Sequence, residues 1–265
     1  MNGPIDISPL HLALAVVLVA VPAVLSLVFQ LGQLRNLAIG TLRTFLQLLA
    51  VGYLLRYVFA LDAWWAVLGM LLLMTAAAAR AALSRQSRRP LRFAGITFLS
   101  MAVSAALVTA MVTQVILDVD PWYSPRYLIP ITGMILGNCL NGIALGLERL
   151  LSDLAAHRGR IETLQALGAE PWEATRHLFR DALRAAMIPT INALMVVGIV
   201  SLPGMMTGQI LAGVDPLLAV KYQIVVMLML ASGTALGSLL LLLLALRRCF
   251  DERQRLVIEQ VAPAR

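Results

Sequence analysis

The chain has 265 residues, of which 60% are hydrophobic and only 13% are charged, and its formal net charge is +7. An ordinary soluble domain is about half apolar, whereas the apolar residues here form long blocks, near the roughly 20 residues that cross a bilayer core. The composition excludes a soluble globular domain, and the unbroken blocks exclude an outer-membrane barrel, whose strands alternate over short segments.

The apolar blocks predict an all-α, polytopic membrane protein with about seven transmembrane helices, in a single domain that spans residues 1–265. The first block has no basic start and follows Asp6, which favours a span over a cleaved signal. The predicted spans are Leu10–Phe29, Leu37–Leu61, Ala63–Leu83, Phe93–Leu117, Leu128–Leu147, Ala186–Ala212 and Tyr222–Leu246.

The basic residues lie in alternate connections between the blocks, as topology signals do, rather than on a surface suited to nucleic acid. By the positive-inside rule, this pattern predicts a multi-pass protein of the inner (plasma) membrane, with its N-terminus outside and its C-terminus in the cytoplasm. The predicted inner connections carry Arg35, Arg80, Arg85, Arg88, Arg89, Arg92, six arginines from Arg149 to Arg184, and Arg247, Arg248, Arg253, Arg255 and Arg265. The predicted outer connections carry Arg56, Arg126 and Lys221 with Asp6, Asp62, Asp118, Asp120 and Asp215.

The longest connection, residues 148–185, predicts a cytoplasmic helix–turn–helix. Apolar residues recur at helical spacing through its first half. Gly168 suits the left-handed stop of one helix, and Pro171 suits the first turn of the next. The second helix is expected to carry Trp172 on its apolar side and to end near Pro189. The two helices would meet at an exposed corner.

Nothing within the chain is expected to cover this corner, because the other cytoplasmic connections are short. A partner protein is therefore the expected occupant. The alternative is that both helices lie on the lipid headgroups as an interfacial pair.

The sequence lacks the common motifs of nucleotide, metal and acyl chemistry. It contains no Gly-x-x-x-x-Gly-Lys-[Ser/Thr], His-Glu-x-x-His, Gly-x-Ser-x-Gly or Cys-x-x-Cys. Its three histidines, His11, His157 and His177, are placed at or beyond the predicted membrane surface. The chain is therefore expected to be no enzyme, and to bind no cofactor of its own.

Two sets of motifs resemble known transporter subunits. Glu162-Thr-Leu-Gln-Ala-Leu-Gly168 resembles the coupling-loop signature of ABC importers, Glu-Ala-Ala followed three residues later by Gly, with Thr163-Leu164 in place of Ala-Ala. Three longer stretches resemble the FetB-type permeases, the membrane subunits of a small ABC-type system associated with iron export, to which plant aluminium-tolerance permeases are similar. These stretches are PGMMTGQILAGVDPLLAVKYQ (203–223), GMILGNCLNG (133–142) and LRTFLQLLAVGYLL (42–55).

The resemblance implies a permease that exports iron or another metal, driven by a separate cytoplasmic ATPase that uses the ATP. It also implies a permease homodimer within a two-plus-two complex, and cytoplasmic coupling helices within residues 148–185. Two other functions stay open: a permease for an organic or lipid-like solute, and an ATP-independent channel or scaffold. The residues expected to couple to the ATPase are Glu162, Leu167, Gly168, Ala169, Glu170, Pro171 and Trp172.

Polar residues inside the spans are candidates for the substrate path, since such groups usually face the bundle interior or a water-filled cavity. Pro203-Gly204 is expected to break or kink the sixth span, and broken helices form substrate sites in transporters. The candidate residues are Arg43, Gln47, Asn138, Asn141, Met205, Met206, Thr207 and Gln209.

Each candidate also has a structural alternative. The alternative role of the asparagines is only to bond neighbouring helices. That of Arg43 is to reach the cytoplasmic headgroups, and that of the methionines is to fill gaps in the core. Thioethers suit soft or borderline metals, whereas iron as a hard cation prefers oxygen ligands, so the methionines do not by themselves indicate iron and the metal ligands stay unknown. Gly-x-x-x-Gly pairs at 133/137, 142/146, 204/208 and 233/237 predict close helix packing, within the chain or between two copies.

Overall fold

The computed structural model describes residues 8–61, 63–84 and 93–257, and within these ranges the chain is helical, with only isolated β-bridges outside the helices. A 3-10 segment, Ala15–Val19, joins the first two helices, and a π-helical segment, Met111–Ile116, extends the fifth. The helices are α1 (Pro9–Leu14), α2 (Ala20–Val28), α3 (Leu34–Leu61), α4 (Trp64–Leu83), α5 (Ala94–Ala110), α6 (Pro125–Ala156), α7 (Arg158–Ala166), α8 (Pro171–Val196), α9 (Gly204–Leu211) and α10 (Pro216–Arg248). Of the residues used to predict orientation, Asp6, Asp62, Arg85, Arg88, Arg89, Arg92 and Arg265 lie outside the described ranges.

The protein is a polytopic α-helical membrane protein, as predicted. Six helical stretches of the described chain are long and apolar enough to cross a membrane. The predicted sixth span, Ala186–Ala212, divides between the end of α8 and the short helix α9. The six stretches are Leu10–Val28, Leu34–Leu61, Trp64–Leu83, Ala94–Ile116, Pro125–Ala156 and Pro216–Arg248.

The interruption between α8 and α9 occupies residues 197–203. Gly198 there has a φ of +83°, a conformation that glycine adopts without the steric cost of a side chain. Pro203 has no N–H to continue a helix, and it disfavours helical geometry at Leu202. The break expected at Pro203-Gly204 is therefore confirmed, and it is wider than the two residues that predicted it.

Pro189, in contrast, does not end its helix. It was expected to mark the end of the second corner helix, but α8 continues through it to Val196. Prolines are tolerated inside membrane helices where packed neighbours compensate for the missing backbone bond. As a result, α8 runs without interruption from the corner at Pro171 to the break.

Helix α6 lies at the centre of the bundle and packs against α4, α5, α8 and α10. The glycine pair Gly142/Gly146 permits its approach to α8. A Cβ atom on Gly142 would lie 3.0 Å from the carbonyl oxygen of Ala186 and 2.6 Å from Cγ2 of Thr234. The packing predicted for this pair is confirmed within the chain.

The other glycine pairs divide into packed and open positions. A Cβ on Gly233 would meet Ile135 of α6 at 2.6 Å, and one on Gly237 would overlap the thiol of Cys139. Gly204 and Gly208 have no atom within 4 Å of such a Cβ. The pair at 233/237 thus packs α10 against α6, whereas the pair at 204/208 makes no close contact with the described helices.

The first two spans lie mostly outside this core. Only 6% of the apolar window of each is buried, and Val58 is the one buried residue of α3. Most of the surface of α1, α2 and α3 therefore faces lipid or another polypeptide.

Candidate functional site

The turn after α7 has the geometry of a Schellman motif. Gly168 has a φ of +97°, and its N–H donates to the carbonyl of Gln165 (3.0 Å) while that of Ala169 donates to Leu164 (3.0 Å). These two bonds satisfy carbonyl groups that a helix end otherwise leaves open. The helix stop predicted at Gly168 is confirmed.

Helix α8 begins three residues later with a well-defined first turn. Pro171 occupies the first helical position, where its missing N–H is not needed. The backbone N–H of Glu170 donates to the carboxylate of Glu173 (3.1 Å), which is half of a capping box. The ring of Trp172 contacts that of Phe179 about two turns further along the same face of α8, with centroids 5.2 Å apart. The corner is therefore fixed locally on both sides of the turn.

The residues predicted for coupling differ in what they expose. Leu167 is 80% exposed at the tip of the corner, and Trp172 is 42% exposed. Glu162 lies on the side of α7 and forms an ion pair with Arg158 (2.7 Å). Beneath them, Ile161 is fully buried in the main core. The corner thus presents an apolar tip on a base that is anchored to the bundle.

The expectation that nothing in the chain covers the corner is wrong on one flank. The side-chain amide of Gln165 donates to the carbonyl of Gln254, so the segment after α10 lies against α7. A groove of about 610 Å³ separates this segment from the start of α8. The tip around Leu167 stays exposed. The groove is lined by Glu170, Pro171, Trp172, Leu243, Leu246, Arg247, Phe250 and Gln254.

The candidate path residues of α9 face different surroundings. Met205 and Gln209 line one cavity, of about 530 Å³, whereas Met206 lines another, of about 390 Å³. The hydroxyl of Thr207 donates to the carbonyl of Pro203 (3.1 Å), which stabilises the first turn of α9. Met205 and Met206, which are adjacent in α9, therefore face different cavities.

The remaining candidates are not brought to these cavities. Arg43 and Gln47 are exposed on α3. Asn138 donates to the carbonyl of Met134 within α6 (3.2 Å), and Asn141 is exposed on the same helix. The structure thus separates the eight candidates into a set around α9, a set on α3 and a set on α6.

Three residues beside the break did not stand out in the sequence. Met134 and Met229 line the same cavity as Met205. Gln223 lines the cavity of Met206, is only 5% exposed, and has a side-chain oxygen without a hydrogen-bond partner. Of these three residues, only Gln223 could have been identified from the sequence, because it is an amide inside an apolar span. The methionines are indistinguishable in sequence from core residues.

Among the described residues, no group of three or more His, Cys, Asp and Glu side chains is placed to hold a metal ion. Any metal that crosses this part of the molecule must use other ligands. The cavities beside α9 are lined by methionine, glutamine and tyrosine side chains, which supply thioether, amide and phenol groups.

The chain matches the model of the uncharacterised protein family UPF0014 over residues 9–250. It is 44% identical over 216 residues to the UPF0014 membrane protein slr1647 of Synechocystis, covering 82% of this chain and 83% of that one. It is 36% identical over 250 residues to the "Probable iron export permease protein FetB" of Escherichia coli, covering 94% and 95%. It is 34% identical over 228 residues to the protein ALUMINUM SENSITIVE 3 of Arabidopsis thaliana, covering 86% and 81%. No solved structure matches the chain.

Proposed function

The chain belongs to the UPF0014 family and is a membrane permease, and from that premise we propose that it is the membrane subunit of an ABC-type transporter. In this proposal a separate cytoplasmic ATPase binds the corner between α7 and α8 and drives the export of iron or another metal. The metal and the direction of transport rest on the name of the E. coli relative. ATP is consumed by the partner subunit.

The observation that carries the proposal is the stiff connection from the corner to the broken span. Helix α8 has 26 residues, about 39 Å at the usual helical rise, and packs along α6 and α10. A displacement of its N-terminus is therefore transmitted to residues 197–203, next to the cavities that Met205 and Met206 line. A corner that only rested on headgroups would have no need of this continuity.

We propose that the protein lies in the inner (plasma) membrane with its N-terminus outside and its C-terminus in the cytoplasm. This orientation places the arginines of the corner in the cytoplasm. Helices α8 and α9 then form one interrupted crossing, so that α10 begins outside and ends inside at Arg247 and Arg248. Their position in the last turn of α10 also suits the negative end of the helix dipole.

We expect a cysteine at Ala169 to cross-link to the ATPase when both proteins are expressed together. Ala169 directly follows the exposed tip, whereas both native cysteines, Cys139 and Cys249, are buried. Burial raises the pKa of the Cys249 thiol to about 12, so it stays protonated and unreactive near neutral pH. The measurement is a mass-resolved cross-link in isolated membranes.

The matched control is Trp122→Cys, which is 51% exposed next to the opposite end of α6 and should capture no ATPase. Capture of phospholipid alone by Ala169→Cys would refute the coupling role and favour the interfacial alternative.

We further propose that the permease works as a homodimer in a two-plus-two complex, with a second copy against α3. Arg35 and Arg56 flank about 31 Å of this helix at about 1.5 Å per residue, which matches a bilayer core. Arg43 is then about 12 Å inside the hydrocarbon, exposed on the surface of the chain. A charge at that depth is costly against lipid. A second copy that offers hydrogen-bond acceptors to Arg43, such as the side-chain amide oxygen of Gln47, lowers this cost.

Gln47→Cys is accordingly expected to cross-link to itself between two copies in native membranes. Leu49→Cys is the control, because it is also exposed (55%) but lies about 200° further round the helix. Equal cross-linking of both positions, or of neither, would contradict this interface.

A permease for an organic solute is the second candidate. A cavity of about 300 Å³ between α4, α5 and α6 is lined by alkyl groups, threonines, Gln114 and Trp122, with no charged residue. Such a lining suits an uncharged molecule. Metal accumulation in a deletion strain, together with ATPase stimulation by metals and by organic solutes, separates the two candidates.

A further inference from the structure

The cavity beside α9 that Met205 lines, here termed the methionine cavity, opens between the N-terminal ends of α6 and α10. Its volume is about 530 Å³. Tyr127 and Arg126 of α6, and Leu218 and Tyr222 of α10, lie at the mouth because they belong to the first turns of those helices. The interrupted span forms one wall.

Three thioethers converge on the inner part of this cavity from three different helices. Met134 comes from α6, Met205 from α9 and Met229 from α10. Met134 lies about 13 Å along its helix from Pro125, and Met229 about 20 Å from Pro216. Because the three residues are far apart in sequence, their meeting is not a consequence of helical spacing within one element.

Methionine commonly fills gaps in a core, which is the competing explanation. A gap-filling side chain has neighbours on all sides, and Met229 is only 3% exposed. Yet all three residues border the same open volume rather than closing it. The cavity wall is therefore built in part from three methionine side chains, next to which an occupant would lie.

A neutral oxygen ligand lies on the same wall. The side-chain oxygen Oε1 of Gln209 is buried and has no hydrogen-bond partner in the part of the chain that the structure describes. A buried acceptor without a partner is unfavourable unless something else satisfies it. The residues lining the cavity include no Asp, Glu, His or Cys. Its inner part thus offers thioethers and one amide oxygen, all uncharged.

We propose that the methionine cavity binds a soft monovalent metal ion, Cu(I) or Ag(I), as a transported substrate. This inference rests on the proposed function as a metal permease and narrows its substrate class. Thioethers select Cu(I) among biological metals, whereas hard cations need oxygen ligands and compensating negative charge. A single positive charge is also easier to hold in a neutral site than two or three, since the desolvation cost of an ion rises steeply with its charge.

The charges near the cavity are compatible with this substrate. Arg126 is the one charged residue in its lining and is exposed at the mouth. It lies about 12 Å along α6 from Met134, where water and salt screen it. Weak, uncharged ligands also suit a transporter, because an ion must leave the site as well as enter it.

The test is Cu(I) binding to the purified permease alone, kept reduced under anaerobic conditions and measured by competition with a chromophoric Cu(I) chelator. We expect one site, weakened tenfold or more by Met205→Leu and by Met229→Leu, substitutions that conserve volume. Met206→Leu is the matched control, since this neighbour lines the other cavity. It should leave the affinity unchanged. Excess Fe(II) should not compete.

X-ray absorption at the copper edge gives a second readout. Sulfur neighbours should persist in a Cys139→Ala, Cys249→Ala protein and be lost when Met134, Met205 and Met229 are also replaced by leucine. Binding that is absent, that survives the methionine variants, or that Fe(II) abolishes would overturn the proposal. Capture of an ATPase at Ala169 without Cu(I) binding would refute this inference alone. Cu(I) binding without any ATPase partner would instead refute the proposed function.

Discussion

Gly168→Val is expected to uncouple ATP hydrolysis from export while leaving the permease folded in the membrane. Gly168 has a φ of +97°, and no atom lies within 4 Å of the position that a Cβ would take. The effect is therefore conformational and not one of packing. A β-branched residue is strongly disfavoured in this region, at a cost on the order of 1–3 kcal/mol. Relief of that strain moves the chain out of the Schellman geometry and displaces the exposed tip at Leu167.

The measurement is transport and substrate-stimulated ATPase activity in proteoliposomes that contain both subunits. We expect the stimulation to fall about tenfold or more. Gly168→Asn should retain most of it, because asparagine tolerates the left-handed conformation. Gly159→Ala is the control. Gly159 lies in α7, the helix that ends before Gly168, it has no positive φ, and its Cβ position is also open. Normal stimulation and export by Gly168→Val would show that the corner geometry is not used.

The corner was predictable from sequence because its determinants are local. A glycine that stops one helix and a proline that starts the next act through their own backbone angles and donors. The order Gly168, Pro171 therefore placed the turn to the residue. The apolar blocks likewise predicted the membrane class, because the bilayer imposes length and hydrophobicity on each span.

The break in the sixth span shows the limit of that reasoning. Hydropathy counts Ile199, Val200 and Leu202 as part of a continuous span, yet all three are exposed residues of a non-helical segment. Pro203 predicted that the helix would be disturbed there. The extent of the interruption depends on how α8 and α10 pack on either side of it, which a local pattern does not contain.

The same limit applies to both cavities and to the flank of the corner. The bond between Gln165 and Gln254 joins residues 89 positions apart, and the methionine cavity collects Met134, Met205 and Met229 from three helices. The first feature depends on how α7 packs against the segment after α10. The second depends on how α6, α9 and α10 pack together. Sequence reasoning identified Met205 only because it stands beside the Pro203-Gly204 break.

Helix α8 joins the two proposed sites in one element. Its first turn belongs to the corner and its last turn ends at the break, so that ATPase binding and substrate access act on opposite ends of one rigid body. Its attachment to α6 then determines whether motion at the corner reaches the break. That attachment depends on the close approach at Gly142, where α6, α8 and α10 meet.

Gly142→Val is expected to be the most destabilising of the glycine substitutions on α6. Its Cβ would lie 2.6 Å from Cγ2 of Thr234 and 3.0 Å from the backbone carbonyl of Ala186, and a backbone atom cannot move aside as a side chain does. Overpacking of a filled core costs about 1–3 kcal/mol. The larger branched side chain should therefore separate α8 from α6, lower the melting temperature of the detergent-solubilised permease, and weaken coupling in whatever fraction still folds.

Gly137→Val provides the matched control for this experiment. It introduces the same side chain into the same helix, with the same change in helix propensity, but no atom of the described residues lies within 4 Å of its Cβ position. Thermal unfolding followed by size-exclusion chromatography should show a clear loss of stability for Gly142→Val and little for Gly137→Val. If the two variants lose stability equally, the penalty comes from valine in the helix. The close contact between α6 and α8 would then contribute little to holding α8 in place.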